Sequence, residues 1–263
     1  MLAKEIINYL EKRFPHDYAE DFDQPKIGLI VGRDDFIVTN ILLSLDLSLE
    51  VVKEAIRKHA NFIIVHHPFF FEPLYKVLLN TEQGEVVKLL LTHDISVYAM
   101  HTNLDVGQGG VNDVLAGLLA IPDIKVDNNV IGKQNYLRFG DIEEITLEEL
   151  VQFVKKTFCL SGVRVLGDLN QKINRIGVIG GSGAHRIDIE RAYFNHCQVL
   201  ITGEVKLNNA QYAKYLGLNI IEVNHGVEKF VFYHLKKDLE KDLSLHGKVM
   251  VAETETDPLR IIG

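Results

Sequence analysis

The chain has 263 residues, enough for one large or two smaller α/β domains with a substantial core. Its formal charge of −8 is spread along the sequence, which argues against a generic nucleic-acid-binding surface, because phosphate affinity comes from clustered Lys and Arg. The two cysteines, Cys159 and Cys197, lack CxxC spacing, which predicts a protein of the reducing cytoplasm without disulfides or thiolate metal sites. The apolar runs are shorter than the ~20 residues of a membrane span, so we expect no membrane segment.

Strand-like and helical patterns alternate through the first half. The opening stretch MLAKEIINYLEKRF is typical of an amphipathic helix and lacks the apolar core and cleavage site of a signal peptide. Ser48 is a candidate N-cap for the second helix. The apolar runs predict strands at 26–32, 40–48 and 61–67, a strand that runs into a loop at 95–105, and helices at 49–60, 84–94 and 109–121.

A second α/β pattern follows a mixed, polar stretch in which DNNVIGKQN (127–135) is a candidate junction. Thr146 followed by Glu149 forms the capping-box pattern at the start of a helix. Strands that alternate with helices of this length predict βαβ units. The predicted fold class is therefore α/β, with two halves (1–124 and 125–263), largely parallel or mixed sheets and no inserted middle domain.

Two adjacent histidines follow one predicted strand, in FIIVHHPFFF. Ligands of open parallel sheets bind beyond the carboxyl ends of the strands. Because adjacent residues of an extended chain point to opposite sides, we expect His66 and His67 to serve two different ions, or one ion and one supporting contact. The alternative, that one ring packs and the other is solvated, is the more common situation when such a pair stands alone.

Two more His/carboxylate groups lie at other predicted strand exits. HTNLD supplies His101 and Asp105, and NHGVEKF supplies His225 and Glu228, which one helical turn would place on one face. Each has an ordinary alternative: a histidine hydrogen-bonded to a nearby aspartate, or a capping glutamate beside an exposed histidine.

Taken together, these groups predict a metal site. Five or six N and O ligands exceed the three protein ligands of a catalytic zinc ion. The surplus favours two divalent ions about 3.5–4 Å apart that share a carboxylate and an activated water. The identity of the metal stays open among Zn, Fe, Mn and Ni, because His/carboxylate sets accept several ions.

The stretch GVIGGSGAHRID (177–188) is a Gly-rich turn from a strand into a helix. It matches neither the dinucleotide-binding nor the Walker pattern. A tight turn is the main interpretation. The alternative is a substrate phosphate or carboxylate bound by Ser182, His185 or backbone N–H groups.

These motifs resemble the NIF-three-like proteins, often labelled GTP cyclohydrolase 1 type 2 homologues. The resemblance runs nearly from end to end and rests on GLIVGR, LSLDLSLEVVKEAI, FIIVHHPFFFEPL, ISVYAMHTNLD, GGVND, GVIGGSG, LITGEVK, IIEVNHGVE and the terminal ETDP. It implies two related α/β halves around a metal-containing cleft, and ring-shaped homohexamers. Its implied ligands of two divalent ions are His66 and His67 (one on each ion), Asp105, His225 and a bridging Glu228, with His101 as a proton relay or extra ligand.

The chain departs from the pattern of the family that it resembles after LITG: relatives often have Asp and then histidine in this segment, whereas this chain has Glu204, Leu207 and Asn208. The first functional hypothesis is a two-metal hydrolase in which a metal-activated water attacks a small substrate such as a nucleotide or phosphoester. The family label suggests opening of the guanine ring of GTP. The alternative is a non-catalytic scaffold, regulator or metal carrier.

Overall fold

The structure is a computed structural model that describes residues 1–127 and 135–259. Most of the predicted junction at 127–135 lies outside the described residues. The helices of the described part are α1 (Ala3–Arg13), α2 (Leu49–Arg57), α3 (Glu82–Thr92), α4 (Thr102–Val106), α5 (Val111–Leu118), α6 (Leu147–Thr157), α7 (Arg186–Phe194), α8 (Leu207–Leu216) and α9 (Val231–Asp242).

Eleven strands are present in the described part of the chain. They are β1 (Gly28–Val31), β2 (Ile41–Ser44), β3 (Phe62–Val65), β4 (Ser96–Ala99), β5 (Lys125–Val126), β6 (Arg138–Thr146), β7 (Arg164–Leu166), β8 (Lys172–Ile179), β9 (Val199–Thr202), β10 (Asn219–Glu222) and β11 (Val249–Val251). Short 3-10 helices add three further turns: His16–Tyr18, Gln24–Lys26 and His225–Phe230.

The first compact unit comprises Met1–Gln108 and Val231–Thr256. Its sheet has the strand order β1-β4-β3-β2-β11, in which β1 is antiparallel to β4 and the other pairs are parallel. Every residue of β2, β3 and β4 is buried, which explains why these strands are continuous apolar runs and do not alternate with polar residues. Their side chains pack against α2 and α3 in one apolar core.

The second compact unit comprises Gly109–Phe230 and Asp257–Gly263. Its sheet has the order β5-β6-β8-β9-β10-β7, with β8, β9 and β10 parallel to one another and the outer pairs antiparallel. The buried strand β9 packs with residues of α7 and α8 in the core of this unit.

The structure confirms the predicted α/β class with mixed sheets. Ser48 caps α2 by accepting a hydrogen bond from the Val51 N–H, and Thr146 forms the expected capping box with Glu149 at the start of α6. One local difference lies after β4, where the short helix α4 replaces an extended exit and loop.

The bounds of the compact units are not those of the halves proposed at 1–124 and 125–263. The unit boundary lies at 108/109, and α9 and β11 return to the first unit, where β11 pairs with the edge of β2. The division of the chain into domains at residue 125 stays a prediction. None of the described helices combines the length and the apolar character that crossing a membrane requires.

Candidate metal site

The adjacent histidines lie just beyond the end of β3. His66 is fully buried and His67 is partly buried. Their backbone N–H groups both donate to the Leu45 carbonyl, at 3.2 and 3.0 Å, so the chain has left the regular strand at this point. The alternation of side chains therefore no longer applies, and the expectation that the two rings point apart is wrong: their centroids are 4.8 Å apart.

His101 joins this pair from the neighbouring strand. β3 and β4 are parallel, with Val65 opposite Ala99, so their carboxyl ends meet at one edge of the sheet. The His101 ring lies 5.2 Å from His66 and 5.6 Å from His67. One potential ligand atom from each of the three side chains lies within 4.8 Å of the others. The three imidazoles form a compact cluster, which we call the three-histidine cluster.

Each ring of the three-histidine cluster is oriented through its Nδ1 atom. Nδ1 of His66 lies 2.9 Å from the Met100 carbonyl oxygen, that of His67 lies 2.6 Å from Asp46 Oδ1, and that of His101 lies 2.8 Å from Asp23 Oδ1. All three partners are acceptors, so each neutral ring must carry its proton on Nδ1. Nε2 is then the atom through which each ring would coordinate a metal, as in the carboxylate–histidine–metal arrangement of known sites.

The two supporting carboxylates are held in the ionised form. Burial alone would raise the pKa of Asp23, but its hydrogen bond and charge interaction with His101, and its hydrogen bonds from Thr102, lower that pKa. The pKa of Asp46 is also lowered: the contacts with His67 and with the Thr256 hydroxyl outweigh the effect of burial. An ionised carboxylate raises the basicity of the imidazole to which it is bonded and thus strengthens that imidazole as a ligand.

Asp105 completes the set in the first unit. Because α4 begins directly after His101, Asp105 lies one turn along this helix, with Oδ1 3.4 Å from Nε2 of His66. Two ligands with bonds near 2.1 Å at a tetrahedral metal are roughly 3.4 Å apart. The spacing of this imidazole and this carboxylate therefore fits a shared ion.

The second unit carries its own His/carboxylate group. His225 and Glu228 lie on one turn of a 3-10 helix after β10, with His225 Nε2 3.2 Å from Glu228 Oε2. Nδ1 of His225 lies 3.0 Å from Glu204 Oε1, and the other oxygen of Glu204 accepts a hydrogen bond from the Ser182 hydroxyl at 3.0 Å. Glu204 therefore orients this ring just as Asp46 orients His67.

The Gly-rich turn lies against this group. Gly181 has φ +56°, and a Cβ atom there would lie 2.5 Å from Glu228 Oε1. Only glycine allows both this backbone conformation and this close approach. Ser182 contacts Glu204, while a substrate contact by Ser182 or His185 stays a prediction.

Sequence reasoning found the ligand candidates and missed two of the carboxylates that orient them. Asp46 had a usable signal, since it follows β2 and β2 is the parallel neighbour of β3. Asp23 had none, because it lies in an irregular segment 78 residues before its partner His101.

Comparison with known proteins agrees with these observations. The family model of Duf34/NIF3 (NGG1p interacting factor 3) matches residues 1–258. The chain belongs to this family. A relative named GTP cyclohydrolase 1 type 2 homolog from Clostridium acetobutylicum is 30% identical over 98% of both chains.

Solved structures of NIF3 proteins have the same fold. A hypothetical protein from Staphylococcus aureus matches with a TM-score of 0.91 and 30% identity, covering 100% of this chain and 99% of that one. A NIF3-related protein from Bacillus cereus matches with a TM-score of 0.90 and 25% identity, covering 100% of this chain and 99% of that one.

Proposed function

We propose that this NIF3 protein binds two divalent metal ions and uses them to hydrolyse a small substrate. The observation that carries the proposal is the three-histidine cluster, in which one potential ligand atom of each ring lies within 4.8 Å of the others and each Nδ1 atom lies against an acceptor. A structural role in the protein core would not need three adjacent rings in this one tautomer. The proposed ligands are His66, His67, Asp105, His225 and Glu228.

The chemistry of the donors supports divalent ions of intermediate hardness. Neutral imidazoles and carboxylates suit Zn, Fe, Mn and Ni, and none of the proposed ligands is a thiolate that would select a softer ion. The distances of 3.4 Å between His66 and Asp105 and of 3.2 Å between His225 and Glu228 are both near the roughly 3.4 Å between neighbouring ligands of a tetrahedral ion.

When bound, two such ions would lower the pKa of a water molecule and stabilise negative charge that develops on the substrate. The chain supplies a proton acceptor at the same place. Nδ1 of His101 is held by the ionised carboxylate of Asp23, so Nε2 is where this ring would take up a proton. The Asp23 carboxylate would then stabilise the resulting imidazolium. His101 is therefore assigned as a proton relay, with metal ligation as the alternative.

The names of the relatives suggest a substrate. Opening of the guanine ring of GTP would release formate, and hydrolysis of a phosphoester would release an alcohol or phosphate. Metal-replete protein is to be incubated with GTP and with a panel of nucleotides and phosphoesters, and formate and phosphate measured. Hydrolysis that is lost in Asp105→Asn and kept in Asp35→Asn, a change at a side chain that is 74% exposed, would support the proposal. Turnover that is unaffected by Asp105→Asn would reject the two-metal mechanism.

A non-catalytic scaffold, regulator or metal carrier is the second candidate. The family description itself names an interacting factor. In the segment 69–79, the solvent-exposed fractions of Phe71, Tyr75 and Leu79 are 51%, 90% and 59%. Such side chains are typical of contact surfaces. Protein that binds two ions per chain but hydrolyses none of the panel would favour this candidate.

The same segment supports self-association, and we propose the homohexamer that the family resemblance implies. Light scattering should give six times the mass of the 29.8 kDa chain; a monomer would refute this assembly. The two free cysteines support a cytoplasmic location.

A further inference from the structure

The chain after β11 forms a strap over the first unit, residues 252–256, which we call the C-terminal strap. The Ala252 N–H donates to the Leu43 carbonyl at 2.8 Å. The N–H groups of Glu253 and Thr254 donate to the two carboxylate oxygens of Glu54, each at 2.9 Å. The strap is therefore fixed by the end of β2 and by α2 before the chain reaches Thr256.

Thr256 connects this strap to the three-histidine cluster. Its hydroxyl donates to Asp46 Oδ2 at 2.5 Å, while Asp46 Oδ1 holds Nδ1 of His67 at 2.6 Å. A carboxylate that is held by one oxygen can still rotate about its Cβ–Cγ bond. With both oxygens bonded, the plane of the carboxylate and hence the plane of the His67 ring are fixed.

We propose that Thr256 is a positioning residue of the metal site, acting through Asp46 on His67. The inference rests on the proposed metal-binding function and deepens it. The strap would then have a role in setting the affinity for the ion that His67 is proposed to bind. It also predicts that this effect depends on the hydroxyl group and not on the bulk of the side chain.

A purely structural role for the strap is the competing explanation, and the chain offers a matched control. Thr254 is the other strap threonine, and its hydroxyl donates to Glu54 instead of Asp46. Thr256→Val and Thr254→Val each exchange one hydroxyl for one methyl group. Thr256→Ser keeps the hydroxyl and loses the methyl group.

The probe is Co²⁺, because its absorption spectrum reports the coordination of the ion and its affinity can be measured by competition with a chelator. Loss of an outer contact to a metal ligand typically weakens affinity by about 10-fold to 100-fold, and we expect about tenfold for Thr256→Val with a changed Co²⁺ spectrum. Thr256→Ser and Thr254→Val should stay within about twofold of wild type. In an Asp46→Asn background, Thr256→Val should not lower the Co²⁺ affinity further, because the Asp46 carboxylate through which Thr256 acts on His67 is already absent.

Several results would overturn the inference. The first is a Thr256→Val variant with the Co²⁺ affinity and spectrum of wild type. The second is a loss of Co²⁺ affinity in Thr256→Ser or in Thr254→Val that equals the loss in Thr256→Val. The third is a loss of affinity from Thr256→Val that is just as large in the Asp46→Asn background. Failure of the wild-type protein to bind Co²⁺ or any other divalent ion would instead refute the proposed function. Thermal unfolding of the metal-free variants checks that all are folded. If Thr256→Val does not fold, Thr256→Ala replaces it in the same comparison of single and double variants.

Discussion

The buried carboxylate of Glu54 gives the most quantitative prediction about the first unit. Glu54 is 1% exposed. Burial alone would raise the pKa of this carboxyl group, but the hydrogen bonds from Glu253, Lys58 and Thr254 outweigh burial and lower the pKa from 4.5 to about 2. Lys58 Nζ lies 2.8 Å from Oε1. The variant Glu54→Gln keeps the shape of the side chain, but its amide replaces one acceptor oxygen with a donor that must face another donor.

The lowered pKa sets the size and the pH range of the effect. A drop from 4.5 to about 2 corresponds to at most about 3 kcal/mol of stabilisation at neutral pH. Because Lys58 is partly exposed, solvent screens its interaction with Glu54 and reduces this stabilisation. We therefore expect Glu54→Gln to lower the free energy of unfolding by about 1–2 kcal/mol. Because the pKa is lower in the folded state than in the unfolded state, this stabilisation is fully present above pH 4.5 and is lost as the pH falls from 4.5 towards 2.

Urea unfolding of wild type and Glu54→Gln between pH 7 and pH 3, followed by circular dichroism, measures the difference at each pH. Glu50→Gln is the matched control, because Glu50 lies on the same helix, has a 64% exposed side chain and is paired with Lys53 only at 3.7 Å. We expect the control to change stability by less than about 0.5 kcal/mol. A deficit of Glu54→Gln that stays constant from pH 7 to pH 3, or that equals the control, would refute this reasoning.

Three further predictions concern the metal site and the thiols. His67→Ala and Glu228→Ala should each lower the metal content measured by elemental analysis while leaving circular dichroism unchanged, since both residues follow strand ends; unchanged metal in both variants would reject these ligands. A thiol reagent should modify one cysteine per native chain, because Cys159 is exposed whereas burial raises the pKa of Cys197 to about 12; two rapid modifications would contradict this. Gly181→Ala should cost about 1–2 kcal/mol in urea unfolding because of its positive φ and should also weaken metal binding through Glu228; wild-type values for both would show that the turn relaxes freely.

The sequence predicted the elements well where the core is simple. The continuous apolar runs of β2, β3 and β4 are recognisable because both faces of these strands are buried. The exits of the strands were predicted less well. The rule that neighbouring side chains alternate holds only inside a strand, and β3 ends at Val65, one residue before the pair that mattered.

The orienting contacts were the least predictable part of the candidate site. A ligand type can be read from a residue and its position after a strand, whereas an orienting carboxylate is recognised only when its partner is known. Asp23 belongs to an irregular segment and reaches His101 across 78 residues of sequence. No local periodicity encodes such a contact, because it depends on how the segment after α1 packs.

One of the missed contacts nevertheless has a regular counterpart in the second unit. Asp46 and His67 are 21 residues apart, and so are Glu204 and His225. In each pair the carboxylate comes two residues after the end of one strand, and the histidine follows the next strand, which is its parallel neighbour: β2 then β3, and β9 then β10. A single helix connects the two strands in the first case (α2), as in the second (α8).

This correspondence indicates that each unit contains the same βαβ arrangement, in which a carboxylate after the first strand orients a histidine after the second strand. The short runs NFIIVHH and NIIEVNH keep the asparagine and the last histidine in the same places, and Asn224 stands where the first unit has His66. Glu204→Gln should accordingly weaken metal binding less than Glu228→Gln does, since only the latter removes a charge from the proposed coordination shell.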